Sequence, residues 1–410
     1  MVSIDGQRLL DDLRVLRGFG ATGTGVVRPT FSDADMAARH WLREQMEAAG
    51  LDATIDGVGN VVGRSPNPAP ALLIGSHSDT QPTGGWLDGA MGVMYAIEIA
   101  RSLRDDPDTN GMAIDTVAWS DEEGTYTSCL GSSSFVGALT DADLLDANAE
   151  GETVAAAIER VGLASTPRSR LDPGRQIGYL EAHIEQGPHL EDAGLQIGVV
   201  TSIVGIRAVR IRFVGEQNHA GTTPMARRRD AGAAMFRFGA ELHERMAAVA
   251  GPTSVWTVGD AHLVPGAPSI VPGAAEMVLQ YRDPDEATLD AMRAAVSELV
   301  AETNDAGPVD VDATAGRSPI APTQMDPELR RHLAEAAERT VPGSWTEMPS
   351  AAGHDPMVLS GHLPCGMLFV PSIGGISHDF AENSADDDIV TGCQVLADAT
   401  AAILSAAQRA

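Results

Sequence analysis

The sequence predicts an α/β protein in which a mixed-sheet domain, residues 1–206 and 318–410, is interrupted by a small inserted domain, residues 207–317. Three observations carry that reading. Short apolar runs alternate with helical periodicity in the first part of the chain. A separate β-α-β-β-α-β rhythm fills the middle, and helical periodicity resumes after it. The chain has 410 residues, enough for about two domains.

Residues 5–18 and 34–49 read as helices, with Ser32 or Asp33 as the N-cap of the second and Gly50 as its stop. Residues 51–64 read as short strands around Gly57 and Gly59. The runs 71–76 (ALLIGS) and 112–119 (MAIDTVAW) are apolar without alternation, as strands of a sheet covered on both faces are. A helix is expected between them, at 89–104. In such sheets chemistry collects at the carboxyl ends of strands. His77 and Asp79 follow the first run, and Asp121, Glu122 and Glu123 follow the second.

In the insert, the strand RAVRIRFVGE leads to the helix RRRDAGAAMFRFGAELHERMAAVA. The strands SVWTVGDAHLV and AAEMVLQYRD follow, joined through PGAPSIVPG. The helix EATLDAMRAAVSELVAETN and the strand VDVDATA close it. That is the split-βαβ order of a ferredoxin-like domain. Helices near 326–339 and 389–407 complete the outer domain.

Composition narrows the function classes. The formal net charge of -29 repels phosphate backbones and anionic lipid, which argues against nucleic-acid and membrane-surface roles. Aromatics are 4% of residues, so the 43% hydrophobic content must pack through Ala, Val, Leu, Ile and Met. The N-terminus has no basic start, apolar stretch and cleavage site, and no apolar run is expected to approach the roughly 18 residues of a membrane span. Three widely spaced cysteines with no C-x-x-C pair fit a reducing cytoplasm.

Four clusters and two further histidines carry candidate chemistry. GSHSDTQPTGGWLDGAMG holds His77, Asp79 and Asp88, where a ligating imidazole has a carboxylate two residues on to fix its tautomer. WSDEEGTYTS packs three carboxylates that repel one another unless a cation is near. In EAHIEQGPHLE an extended backbone puts His183 and Glu185 on one face, near Gln186 and His189. GEQNHAGTTPM surrounds His219 with Asn218, Thr222 and Thr223. His354 in SAAGHDP and His378 in GGISHDFAEN complete the set. Taken singly, each cluster also fits an ordinary cap, surface loop or amphipathic face. His40, His243, His262, His332 and His362 lack comparable company and read as structural or solvated.

The order of the motifs is decisive. GSHSDT, GGWLDGAMGV, DEEG, HIEQGP, NHAGTTPM, AGHDP and GISH run the length of the chain. In this the sequence resembles the dinuclear zinc aminoacylase and carboxypeptidase family. It resembles most the branch of N-carbamoyl-L-amino acid hydrolases, β-ureidopropionases and allantoate amidohydrolases. The resemblance implies a metallohydrolase catalytic domain and an inserted lid and dimerisation domain, hence a homodimer acting on a small molecule. It implies that His77, Asp88 and His183 hold one divalent ion and that Asp88, Glu123 and His378 hold another, with Asp88 bridging. Zinc, or manganese, cobalt or nickel, suits that ligand set. Glu122 is implied as general base and acid, Asp79 as the partner of His77, and His219 as the stabiliser of the developing oxyanion. Gln186, Asn218, Ser269, Arg282 and His354 are implied to contact substrate.

The activity implied is cleavage of the carbamoyl C–N bond of an N-carbamoyl amino acid or related ureido acid by a metal-bound hydroxide, with Glu122 as base. Three places depart from the carbamoylase pattern. Ser269 replaces an Asn, Gln280 replaces an Asp near Arg282, and Thr125 and Tyr126 replace an Arg-aromatic pair. These leave the hydrolytic residues intact but loosen the expectation of substrate. An N-acyl amino acid amidase or dipeptidase using the same metals is the nearest alternative, and a non-catalytic metal-binding homologue is the next.

Overall fold

The computed structural model describes residues 2–68, 70–316 and 319–409. The chain divides into two compact units, Met1–Thr201 with Gln324–Ala410, and Ser202–Thr323. The sequence reading opened the insert at 207; its other expected boundary, 317–318, lies outside the described residues.

The larger unit is built on a mixed sheet of nine strands among the described residues. Its centre is parallel: Ala71–His77 lies between Ala113–Trp119 and Gln176–Ile184, and Gln176–Ile184 pairs with Cys365–Val370. Every residue of Ala71–His77, Ala113–Trp119 and Cys365–Val370 is buried, which accounts for their mostly apolar character. Antiparallel strands flank this centre. Val61–Arg64 and Asp52–Ile55 extend one side, and Ile197–Ile203 pairs with Cys365–Val370 on the other. Helix Ala90–Asp105 is buried almost throughout and packs on Ala71–His77. The N-cap of helix Asp33–Ala48 is Ser32, whose hydroxyl accepts from the Asp35 N–H.

One sequence expectation needs correction. Helix Asp386–Ala407 is long and apolar enough, by length and composition, to cross a bilayer. Its small residues, Ala above all, hide that apolar length when the sequence is scanned for bulky runs. Here 61% of its apolar window is buried, packed against Pro327–Thr340, Ala90–Asp105 and Cys365–Val370. It serves as a core helix of this unit.

The smaller unit is a four-stranded antiparallel sheet in the order Val255–Val264, Ala274–Asp283, Gly205–Val214, Asp310–Ala315. With helices Ala231–Val249 and Glu286–Ala306 it has the βαββαβ order. Burial alternates residue by residue along Ala274–Asp283, so one face of that strand packs inward. Phe213, Met277 and Leu279 meet Phe238, Leu242 and Met292 of the helices in the core. A two-residue ladder pairs Asn218–His219 with Ile270–Val271, and the Ala220 N–H donates to the Ser269 carbonyl at 2.9 Å.

Candidate metal centre

The parallel strands all deliver polar side chains at their carboxyl ends, where the backbone leaves the sheet. His77 ends Ala71–His77, Glu122 and Glu123 follow Ala113–Trp119, and His183 lies one residue from the end of Gln176–Ile184. His378 follows Cys365–Val370, and Asp88 comes just before helix Ala90–Asp105. The turn between His77 and that helix requires glycine at 89. Its φ is +62°, and a Cβ there would lie 2.4 Å from the His77 ring.

Asp88 stands between two groups of ligand atoms. Its Oδ1 is 3.0 Å from His183 Nε2 and 3.6 Å from His77 Nε2. Its Oδ2 is 3.2 Å from His378 Nε2, which is 3.7 Å from Glu123 Oε2. Both triads, His77–Asp88–His183 and Asp88–Glu123–His378, are compact enough to hold a metal ion. Glu122 belongs to neither; its Oε2 lies 3.7 Å from His77 Nε2. A third group, Glu181–His183–His354, is similarly compact. There the Glu181 carboxylate already accepts from Ser76 at 2.7 Å and from Tyr179 at 2.9 Å.

The donor set fits divalent cations. Imidazoles and carboxylates suit Zn, Mn, Co and Ni. Glu123 Oε1 is buried without a hydrogen-bond partner, an unfavourable state that a cation beside it would relieve. The histidine tautomers agree. His183 Nδ1 faces the Ile184 carbonyl at 2.9 Å and His77 Nδ1 faces the Asp79 carbonyl at 3.1 Å, which turns each Nε2 into the cluster, that of His183 accepting the Gly89 N–H at 3.1 Å. Asp79, expected as the partner of His77, stands beside that ring by two groups: its main-chain carbonyl is 3.1 Å from Nδ1, and its carboxylate lies 3.8 Å away and accepts from the Glu123 N–H at 3.2 Å. The short turn after His77 folds the carbonyl back under the ring, which no side-chain pattern reveals.

Carboxylates and imidazoles face one another across the cluster. Burial would raise the Asp88 carboxyl, but hydrogen bonds to His183, His378 and His77 outweigh it and hold it well below the usual range. Burial pushes Glu122 well above the usual carboxylate range, against the attraction of His77. The Asp88 hydrogen bond raises His378 to about 9. A cavity of about 140 Å³ opens on these groups, lined also by Gln186, His354 and Ser128.

The chain matches the model of the peptidase family M20/M25/M40 over residues 73–402. It belongs to that family. It is 36% identical over 408 residues to the N-carbamoyl-L-amino-acid amidohydrolase of Paenarthrobacter aurescens, covering 95% of this chain and 96% of that one. It is 33% identical to the allantoate amidohydrolase of Escherichia coli (strain K12), covering 97% and 98%. The crystal structure of an amidase of the hydantoinase/carbamoylase family from Burkholderia phymatum superposes with a TM-score of 0.95 at 52% identity, over 99% of each chain. Within the M20/M25/M40 family the chain therefore stands with the hydantoinase/carbamoylase amidases, a branch of hydrolases acting on C–N bonds other than peptide bonds.

The remaining sequence-derived candidates of this M20-family chain fall into place locally. Gln186 Nε2 is 3.2 Å from Asp88 Oδ2, and its backbone adopts φ +60°. His354 is buried edge-on to His183, ring centroids 4.6 Å apart, with Nε2 3.0 Å from Ser350 Oγ. In the smaller unit, His219 Nδ1 accepts the N–H groups of Gly221 and Thr222, at 3.0 and 3.2 Å. That turns Nε2 outward as the donor of the ring. Arg282 Nε and Nη2 donate to Gln280 Oε1 at 3.2 and 3.0 Å. Glu185 does not share the task of His183. Its carboxylate turns to the N–H groups of His189 and Leu190, each at 2.8 Å, because the strand ends at Ile184 and a short helix begins.

One carboxylate expected in the chemical cluster has another task, and one residue of the site, Glu382, was not singled out in the sequence. Asp121 is not a third chemical carboxylate. It accepts the N–H groups of Thr125, Tyr126 and Thr127 at 2.7, 3.0 and 2.8 Å, pinning the loop that bears Glu122 and Glu123. Glu382 is buried, receives the Leu87 and Asp88 N–H groups, and accepts from Ser377 Oγ at 3.0 Å. Its place in HDFAEN, four residues after His378, was the available signal.

Proposed function

We propose that this chain is a dinuclear metal-dependent amidohydrolase that cleaves the carbamoyl C–N bond of an N-carbamoyl amino acid or a related small ureido acid. The observation that carries the proposal is Asp88 set between two ligand triads, with the Glu122 carboxylate beside them and in neither. The relatives named as carbamoylases and allantoate amidohydrolase support the substrate class.

His77, Asp88 and His183 would hold one divalent ion and Asp88, Glu123 and His378 the other, zinc or one of manganese, cobalt and nickel. When bound, such ions supply Lewis acidity to a carbonyl and acidify a water. Glu122 takes the proton of the attacking water and delivers it to the leaving nitrogen. Its raised proton affinity suits an acid-base group that must hold a proton between the two steps. His219, with Nε2 carrying the proton, donates to the developing oxyanion. Arg282 pairs with the substrate carboxylate as a charged hydrogen-bond donor, and Gln186, Asn218, Ser269 and His354 complete the substrate contacts. The smaller unit serves as the lid and dimerisation domain of a cytoplasmic homodimer.

The test is ammonia release by metal-loaded protein on N-carbamoyl amino acids, allantoate and β-ureidopropionate, beside N-acetyl and N-formyl amino acids. Ammonia from a ureido substrate is expected. Turnover of the acyl compounds alone would assign the chain to N-acyl amino acid hydrolysis.

A further inference from the structure

A second cavity, of about 490 Å³, lies against the metal centre within the larger unit. Glu123 lines both cavities. Gln81 lines the second and donates to Glu123 Oε2 at 2.7 Å, so the two spaces abut at one ligand side chain. Nothing in the hydrolytic scheme above uses this space.

Its wall is mostly apolar or uncharged: Val27, Pro29, Pro82, Tyr126 and Ala149 face it. The one cation lining it among the described residues, Arg160, is committed. Its Nε and Nη2 donate to the two oxygens of Glu152 at 2.7 and 2.9 Å, and its Nη1 donates to the Phe31 carbonyl at 3.1 Å. The Tyr126 hydroxyl also donates to Glu152, at 2.8 Å. Glu123, Glu150 and Glu152 outnumber that arginine. The cavity thus offers apolar contact and repels an anion. Thr125 and Tyr126, where the chain departs from the carbamoylase pattern, both line it.

We infer that this cavity is the subsite for the variable side chain of the substrate, and that it selects uncharged aliphatic or aromatic side chains over acidic ones. The inference rests on the amidohydrolase reading of the metal centre. Ala149, exposed at the cavity wall and remote in sequence from every proposed ligand, controls how much side chain is admitted.

The experiment measures dissociation constants by calorimetry on zinc-loaded Glu122→Gln protein, which binds without turnover. The ligands are N-carbamoylglycine and the N-carbamoyl derivatives of L-leucine, L-phenylalanine and L-aspartate. With Ala149 in place, the leucine and phenylalanine compounds should bind at least about tenfold tighter than the aspartate compound. Ala149→Leu and Ala149→Trp should lower the preference for phenylalanine over glycine in a graded way, by about tenfold or more for Trp. A preference unchanged within about twofold in both variants overturns the inference, as does tight binding of the aspartate compound or no binding of any ligand. Ammonia release by the Glu122 protein on the same four compounds separately decides whether the amidohydrolase reading stands.

Discussion

The Glu382 carboxylate accepts the backbone N–H of Asp88 at 3.0 Å and that of Leu87 at 3.2 Å, so one buried acid holds the loop that presents Asp88 to the two triads. Gly85 makes this possible, since a Cβ there would lie 1.9 Å from Glu382 Oε1. Removing such outer support typically weakens metal binding by roughly 10–100-fold. Glu382→Ala is expected to lose zinc to a competing chelator in that range, while Glu382→Gln, which keeps an acceptor oxygen, loses less.

Gly89 is a sharper test of the His77 placement. Gly89→Ala puts a methyl 2.4 Å from the His77 imidazole on a backbone with φ +62°. Elemental analysis of the purified variant should show a clear fall in bound metal per chain. Full metal content would mean that the turn can move without disturbing His77.

Asp121 predicts a stability effect from a residue next to the chemistry. Asp121→Ala removes the acceptor of three loop N–H groups. Each buried donor left unpaired costs about 1–3 kcal/mol, less where water reaches it. Denaturant unfolding of the apo variant should show at least one such increment, and activity should fall because Glu122 and Glu123 lose their fixed positions.

A second stability test lies away from the centre. Arg39 Nε donates to Asp35 at 2.7 Å, both side chains are fully buried, and Nη1 donates to the Gly59 carbonyl at 2.7 Å. Deleting one member of a buried pair strands the other charge, at about 3–5 kcal/mol. Asp35→Ala should approach that figure in equilibrium unfolding, whereas the joint replacement of Asp35 and Arg39 by apolar residues should recover much of it.

The Glu152–Arg160 pair gives a pH signature. Hydrogen bonds from Arg160 and then Tyr126 lower the Glu152 carboxyl from its ordinary 4.5 to about 2. A depressed carboxyl stabilises the fold fully above its unfolded value. That stabilisation is lost as the pH falls from about 4.5 toward 2. Glu152→Gln should therefore flatten the acid limb of the stability curve in that window and leave its shape above pH 5 unchanged.

Much of this was legible in the sequence because the responsible signals are local. The apolar runs 71–76 and 112–119 and the βαββαβ rhythm all appear as elements near their expected limits. Other elements were not legible. Strand Gln176–Ile184 begins at a half-buried Gln176 and carries Glu181 and His183 in its buried part, so its longest apolar stretch is shorter than that of Ala71–His77. Strand Cys365–Val370 is short and preceded by a Pro-containing turn. At the site, the ordered motifs pointed to His77, Asp88, Glu123, His183 and His378, which the fold brings together in two compact triads. The backbone acceptors that fix His77 and His183, and the turning of Asp121 and Glu382 onto main-chain N–H groups, depend on loop geometry that side-chain spacing does not encode.

The central claim is that Glu122 is the proton-transferring group of a metal-dependent carbamoyl hydrolase. The direct measurement is ammonia release from N-carbamoyl amino acids by the zinc-loaded protein and its Glu122→Gln variant, with metal content determined for both. The account predicts ammonia from the parent, two metal ions per chain in each protein, and a rate in the variant lower by roughly a hundredfold or more. Equal rates in the two proteins at equal metal content would contradict it.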